Sequence, residues 1–128
     1  MPPTPIQPRE FGLLENVSGV YTGTLTANDG VTPIPSASLV TLTLTLYVIK
    51  TDGTIDYVNS RNAQNVLNAN NVTVNAAGLL TWSIQVLDTT LVEALPFERH
   101  IALFEWTTAS VAGKHEAILI VQALTEVP

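Results

Sequence analysis

Between residues 39 and 49 the chain alternates without a break: Val40, Leu42, Leu44, Leu46 and Val48 take every second position, and Thr41, Thr43, Thr45 and Tyr47 stand between them. A period of two is the signature of a β-strand with one face turned to a core; a helix would repeat its apolar residues at three and four. A strand of this length needs partners, so the chain must build a sheet, and the threonine face is expected to be wet or covered by another molecule.

Other segments repeat the pattern. In residues 20–27, Tyr21, Gly23 and Leu25 share one face and Thr22, Thr24 and Thr26 the other. Asn28-Asp29-Gly30 supplies residues that tolerate positive φ, and Pro33 and Pro35 prolong the break. Thr51-Asp52-Gly53-Thr54 is a tight hairpin signal, which sends residues 54–58 back antiparallel to the strand before it. Residues 72–74 read as a short strand and Ala76-Ala77-Gly78 as a turn; Leu80, Trp82, Ile84 and Val86 then form the inner face of another strand, with Trp82 as a core anchor. Residues 88–97 form a loop closed by Pro96. In the strand at 98–107, Ala102, Phe104 and Trp106 oppose Ile101 and Leu103, so both faces are apolar. That strand is expected to be central in its sheet, or covered on its outer side by another subunit. After a turn at 109–114, a last strand at 115–124 sets Ala117, Leu119 and Val121 against Ile118 and Ile120. About seven strands joined by turns, without long helices, specify an all-β fold, an antiparallel β-sandwich.

One stretch departs from this rhythm. Residues 59–75 are rich in asparagine, and Ala63, Val66 and Leu67 stand at helical spacing, which predicts one helical turn capped by Ser60 or Asn62. Asparagine also recurs at 59, 62, 65, 68 and 71, a spacing to which no function attaches. Four of the eight prolines fall within residues 1–8, where fixed φ angles and missing N–H donors oppose helix and central strand. The expected organisation is an extended arm over residues 1–18 and one sandwich over residues 19–125, a length suited to a single core.

Charged residues make up 12% of the chain, about half of the roughly 25% usual in soluble proteins, and hydrophobic residues 46%. Neutral side chains must therefore cover much of the surface, as they do where copies or partners pack together. A net charge of −6 provides no basic field for a phosphate backbone, so nucleic acid is not an expected partner. The absence of cysteine removes disulfides and thiolate chemistry and suits a reducing cytoplasm. Residues 1–10 have neither the basic start nor the apolar run of a signal peptide, and no stretch reaches the roughly 18 apolar residues of a membrane helix.

No catalytic constellation emerges. His100 and His115 lie at the starts of predicted strands and could be drawn into a metal site with Glu98 or Glu116, but the spacing matches no metal motif, and they are expected to face solvent. Ser18, Ser36, Ser38 and Ser110 sit in turns without a nucleophile elbow. Asp29, Asp52, Asp56 and Asp88 read as loop or strand-edge acids that stabilise turns rather than hold calcium. The seven glycines are single and form no phosphate cradle. Asn16-Val17-Ser18 and Asn71-Val72-Thr73 match the glycosylation sequon, which carries no meaning for a cytoplasmic product. Catalytic, cofactor and metal residues are therefore expected to be none.

The strand followed by Asn28-Asp29-Gly30-Val31-Thr32-Pro33-Ile34 and the alternating strand 39–49 resembles the start of immunoglobulin-like domains in bacteriophage tail and baseplate proteins, including the N-terminal domain of the upper baseplate protein family. The Gly78-Leu79-Leu80-Thr81-Trp82 strand, the Asp88 loop and the strand pair ending at Ile118 to Val121 are similar too, so the resemblance spans roughly residues 20–124. It implies an immunoglobulin-like sandwich serving as an adaptor between structural proteins, or as decoration or cement on a phage head. The chain departs from the baseplate pattern in its Asn-rich segment and in ending after the domain, which favours a capsid or neck component.

The resulting expectation is a non-enzymatic virion protein, made in the host bacterial cytoplasm and forming homo-oligomers. Its expected partners are the major capsid protein or tail and neck subunits, with no nucleic acid, membrane or cofactor. Its interface is expected to use Pro2, Pro3, Pro5, Ile6, Pro8 and Phe11 of the arm together with Thr41, Thr43, Thr45, Tyr47 and Trp106. Alternatives are a tail or baseplate adaptor, or a carbohydrate- or receptor-binding sandwich using Tyr47, Tyr57 and Trp106 as exposed aromatics.

Overall fold

The computed structural model describes residues 9–27, 29–93 and 96–123. Nine strands run through them: β1 (Arg9–Leu14), β2 (Gly19–Thr24), β3 (Thr41–Ile49), β4 (Ile55–Tyr57), β5 (Gln64–Asn65), β6 (Val72–Val74), β7 (Leu79–Ile84), β8 (Phe97–Thr107) and β9 (Ala112–Gln122). The larger sheet has the order β1-β9-β8-β3-β4, with β5 also on β3, and the smaller has the order β2-β7-β6. The protein is an all-β sandwich, with two short 3-10 turns at Ser36–Ser38 and Val86–Thr89 as its helical elements among the described residues.

The core lies between the sheets because alternate residues of each strand point inward. Leu42, Leu44, Leu46, Phe104, Ala117 and Leu119 from the larger sheet meet Tyr21, Val72, Val74, Leu80, Trp82 and Ile84 from the smaller. Trp82 and Phe104 join the layers edge to face, with ring centroids 5.8 Å apart. Trp82 is thus the core anchor that its phase with Leu80 and Ile84 indicated.

The count and direction of the strands differ from expectation. Expected strands number about seven and all antiparallel; the structure adds the two-residue β5 and the N-terminal β1, which pairs parallel to β9 from Arg9↔Ala117 to Leu14↔Gln122. The larger sheet therefore takes in residues 9–14, within the expected arm of residues 1–18, as an edge strand among the described residues. Apolar Phe11, Leu13 and Leu14, without prolines among them, leave nothing to oppose a ladder there.

The predicted helical turn at 60–67 does not form. Asn59, Ser60, Ala63, Asn68, Asn70 and Asn71 all have φ between 49° and 76°. Repeated left-handed residues break any helical ladder, and asparagine enters that region more easily than other non-glycine residues. The segment instead wraps the edge of β3: Leu46 N–H bonds to Arg61 O, Ala63 N–H to Thr45 Oγ1 and Val66 N–H to Leu42 O. The hairpin at Gly53, with φ of 88°, joins β3 to β4 as its sequence indicated.

The phase of β3 holds from Leu42 to Val48, but Val40 is exposed and Leu39 takes the inward place ahead of it. Val86 is likewise exposed, because β7 stops at Ile84 and the chain turns into the Val86–Thr89 turn.

Candidate interaction surface

With Leu42, Leu44, Leu46 and Val48 turned inward, β3 presents Thr41, Thr43, Thr45 and Tyr47 on the outer side of the larger sheet, where Thr41 is exposed and the other three half-buried. Register extends this face across the sheet. Thr41, Thr107 and Ala112 form one cross-strand row, and Asn65, Thr43, Glu105 and Lys114 the next. Thr45, Leu103 and Glu116 follow, and then Tyr57, Tyr47, Ile101 and Ile118. Beyond that row lie the pairs Ile49–Ile55 and Arg99–Ile120, and Phe97 at the start of β8. The face is polar at its threonine end and apolar at its tyrosine and isoleucine end.

Polar neighbours at the first end are paired among themselves. Thr41 and Thr107 hydroxyls lie 2.6 Å apart, and Lys114 Nζ lies 3.7 Å from Glu105 Oε2 with both side chains well exposed. Such an exposed ion pair contributes about 0–1 kcal/mol. Burial within the face pushes the Tyr47 phenol above its ordinary value of 10.0, and the nearby Glu116 charge adds to that.

Trp106 does not belong to this surface. It is 2% exposed and faces the core, its ring lying over Gly113 of the paired strand. The expectation that it serves as an exposed contact is corrected by the alternation of β8, which turns Phe104 and Trp106 inward together. Of the three aromatics considered for glycan binding, Tyr47 and Tyr57 are neighbours across β3 and β4, and Trp106 is removed from them by burial. Pro2, Pro3, Pro5, Ile6 and Pro8 lie outside the described residues. The backbone of Phe11 sits in β1, in register with Leu119.

The two-sided apolarity of β8 has its explanation in the topology. β8 is central, flanked by β3 and β9, and its outward Ile101 and Leu103 are half-buried by those neighbours.

The ionisable groups expected at the surface turn inward. Asp88 is fully buried, as is His100, and His115 is half-buried beside Tyr21, whose hydroxyl it meets through Nε2. His100 Nδ1 lies 2.9 Å from the Asp88 carbonyl oxygen, which only accepts, so Nδ1 carries a hydrogen; Nε2 lies 2.7 Å from Glu98 Oε1. Glu98 in turn accepts N–H bonds from Val92 and Glu93. Asp88 takes Arg61 Nε, Arg61 Nη2, Asn59 Nδ2 and the Gln85 N–H on its two oxygens. Next to it, Thr89 Oγ1 bonds to Val17 O and accepts the Val17 N–H.

This network ties the Val86–Thr89 turn to the Asn-rich loop, to the β1–β2 connection and to β8. It was missed because its members are scattered and each reads locally as a loop or strand-end residue. All its side-chain contacts are internal and its charged members are buried, so it braces one end of the sandwich. Among the described residues no three His, Asp or Glu side chains converge as a metal site requires, and no helix is long and apolar enough to cross a membrane. Compared with known proteins, the chain matches no family model and no curated protein.

Proposed function

We propose that the chain is a non-enzymatic structural subunit of a bacteriophage particle, a capsid decoration or cement protein or a head-to-tail component, that works by applying the outer face of its larger sheet to neighbouring subunits. One observation carries this reading: the row Tyr57, Tyr47 and Ile101, continued by Ile49, Ile55, Ile120 and Phe97, gives a braced sheet an apolar face with no other strand of the described residues laid over it. Low overall charge supports it, since few charges must be stripped of water on contact. Repetition around a symmetric particle would multiply modest individual contacts.

Labelled protein imaged on purified particles of the parent phage tests the proposal. Density at the head surface or the neck is expected; tail-tip density would favour the adaptor role, and a protein absent from the particle would end the structural reading. The Tyr47–Tyr57 neighbourhood also supports a second reading, a glycan-binding patch at the β4 edge. A glycan array without signal above a Tyr57→Ala control removes it.

A further inference from the structure

His100 meets a hydrogen-bond acceptor at each ring nitrogen: the Asp88 carbonyl oxygen at Nδ1 and Glu98 Oε1 at Nε2. A neutral imidazole has one N–H and one bare nitrogen. Whichever nitrogen were bare would set its lone pair against an oxygen, and the two side chains, 0% and 2% exposed, are shielded from water that could separate them. One further hydrogen is therefore required, on Nε2 or on the Glu98 carboxyl, where it bridges the pair. Glu98 has no other donor to turn to, since Oε1 already accepts the Val92 N–H and Oε2 the Glu93 N–H, each at 2.7 Å.

We infer that Glu98 and His100 share one buried proton and that this proton latches residues 90–93 onto β8, so that this end of the sandwich loosens as pH rises. The proton belongs to the pair, as it does for any two strongly interacting sites. Without it the carboxylate and the imidazole repel, and the carboxylate moves off the Val92 and Glu93 amides. A second link follows the first: Glu93 accepts the Thr51 N–H and hydroxyl, each at 3.0 Å, which ties the segment to the hairpin between β3 and β4. Ile49, Thr51, Glu93 and Phe97 border one hollow, so the latch sets the edge of the apolar end of the outer face.

The charges around the pair, among the described residues, are committed elsewhere or stand off from it. Asp88 keeps its carboxylate for Arg61, Asn59 and Gln85 and turns its backbone oxygen to the ring. β9 sets Val121 and Leu119 opposite Glu98 and His100. On the same inner side β3 presents Leu46 and Val48, with exposed Asp56 opposite Val48 and half-buried Lys50 just past the strand end. β7 contributes Ile84, the β1–β2 connection carries half-buried Glu15, and Arg99 points to the other side of β8. The sign of the pH dependence follows from proton counts. Ordinary values of about 6.5 for histidine and about 4.3 for glutamate leave the unfolded pair without the bridging proton above about pH 6.5. Folding there takes up one proton, so the folding constant falls by up to about tenfold per pH unit as pH rises. Between about pH 4.3 and 6.5 the unfolded pair holds the same proton and contributes no slope.

Urea unfolding of the full chain and of Glu98→Gln, at pH 7 and again at pH 8, tests the shared proton. The amide introduced by Glu98→Gln donates to a neutral imidazole and needs no extra proton, although it leaves one backbone N–H without its acceptor. Groups common to the two proteins cancel in their ratio, so the wild-type folding constant should fall roughly eightfold relative to that of the variant between the two pH values. A constant ratio would overturn the inference. The wild-type chain gives the same test without a substitution: calorimetric unfolding at pH 8 in two buffers of different ionisation enthalpy should release about one proton per molecule, and release of none would refute the shared proton. Amide resonances report the latch. Those of Thr51, Val92 and Glu93 should move with one common midpoint as pH is raised above 7 in the wild type, and stay flat in Glu98→Gln. Separate midpoints, or the same titration in the variant, would show that the pair does not control the segment.

Discussion

Arg61 and Asp88, 27 residues apart, meet as a two-pronged ion pair in the interior, Nε to Oδ1 at 2.6 Å and Nη2 to Oδ2 at 3.2 Å, with side chains 2% and 0% exposed. The guanidinium also donates to Gln64 Oε1 and Asn70 O and lies over the Trp82 ring, its Cζ 5.8 Å from the centroid. A buried pair of this kind is justified by its full set of partners rather than by attraction alone.

Removing one member should be costly. Asp88→Ala leaves a buried guanidinium without its counter-ion and is expected to lower unfolding stability by about 3–5 kcal/mol. The double change Arg61→Met with Asp88→Ala should cost clearly less than the sum of the single changes. Urea unfolding of the four proteins measures this, and additive losses would show that the two groups are not coupled.

Packing around Trp106 makes a second prediction. A Cβ built on Gly113 would stand 2.1 Å from Trp106 Cζ2 and 2.5 Å from Cε2. Gly113→Ala should therefore destabilise the domain by about 1–3 kcal/mol through overpacking. A smaller partner should recover part of the loss, so Gly113→Ala combined with Trp106→Leu is expected to unfold at a higher temperature than the sum of the two single changes implies.

The two faces of β3 should respond differently to the same substitution. Leu44→Asp places a carboxylate in the core beside Phe104 and should unfold the domain. Thr43→Asp lies on the outer face opposite Glu105, where a like charge costs up to about 1 kcal/mol. It should fold and lose attachment to the particle. Circular dichroism and co-sedimentation with particles report the two outcomes, and equal effects would refute the assigned role of that face.

Acid should loosen one exposed turn. The Thr32 hydroxyl, followed by the Thr32 and Val31 amides, holds the Asp29 carboxyl down to about 2 from 3.8. Because the folded value lies below the unfolded one, this stabilisation is complete above about pH 4 and fades as pH falls toward 2. The Thr32 amide resonance should titrate with a midpoint near 2, and Thr32→Val should move the Asp29 midpoint up toward 3.8. A Thr32→Val midpoint unchanged from wild type would assign the shift to another cause.

What could be read from the sequence is local in origin. Alternation in residues 42–48, 80–84 and 102–106 reports which side of a strand faces the core, because the period of two is a property of the backbone itself. Asp52-Gly53 marks its turn because glycine enters positive φ without strain. These signals determined the all-β class and most of the core, and they placed Thr41, Thr43, Thr45 and Tyr47 together on one face.

Tertiary structure decided the rest. Alternation says that Ile101 and Ile118 share a side of their strands, but only the order β9-β8-β3-β4 lines them up with Tyr47 and Tyr57 as one apolar surface. Helical spacing at Ala63, Val66 and Leu67 was overridden because pairing along the edge of β3 and the Arg61–Asp88 bond reward an extended, left-handed path. Asp88 reads as a loop acid and His100 as a solvent-facing group because a charge is tolerable inside only when distant residues arrive to satisfy it. Which residues arrive depends on how the whole chain closes, and no short stretch of sequence records it.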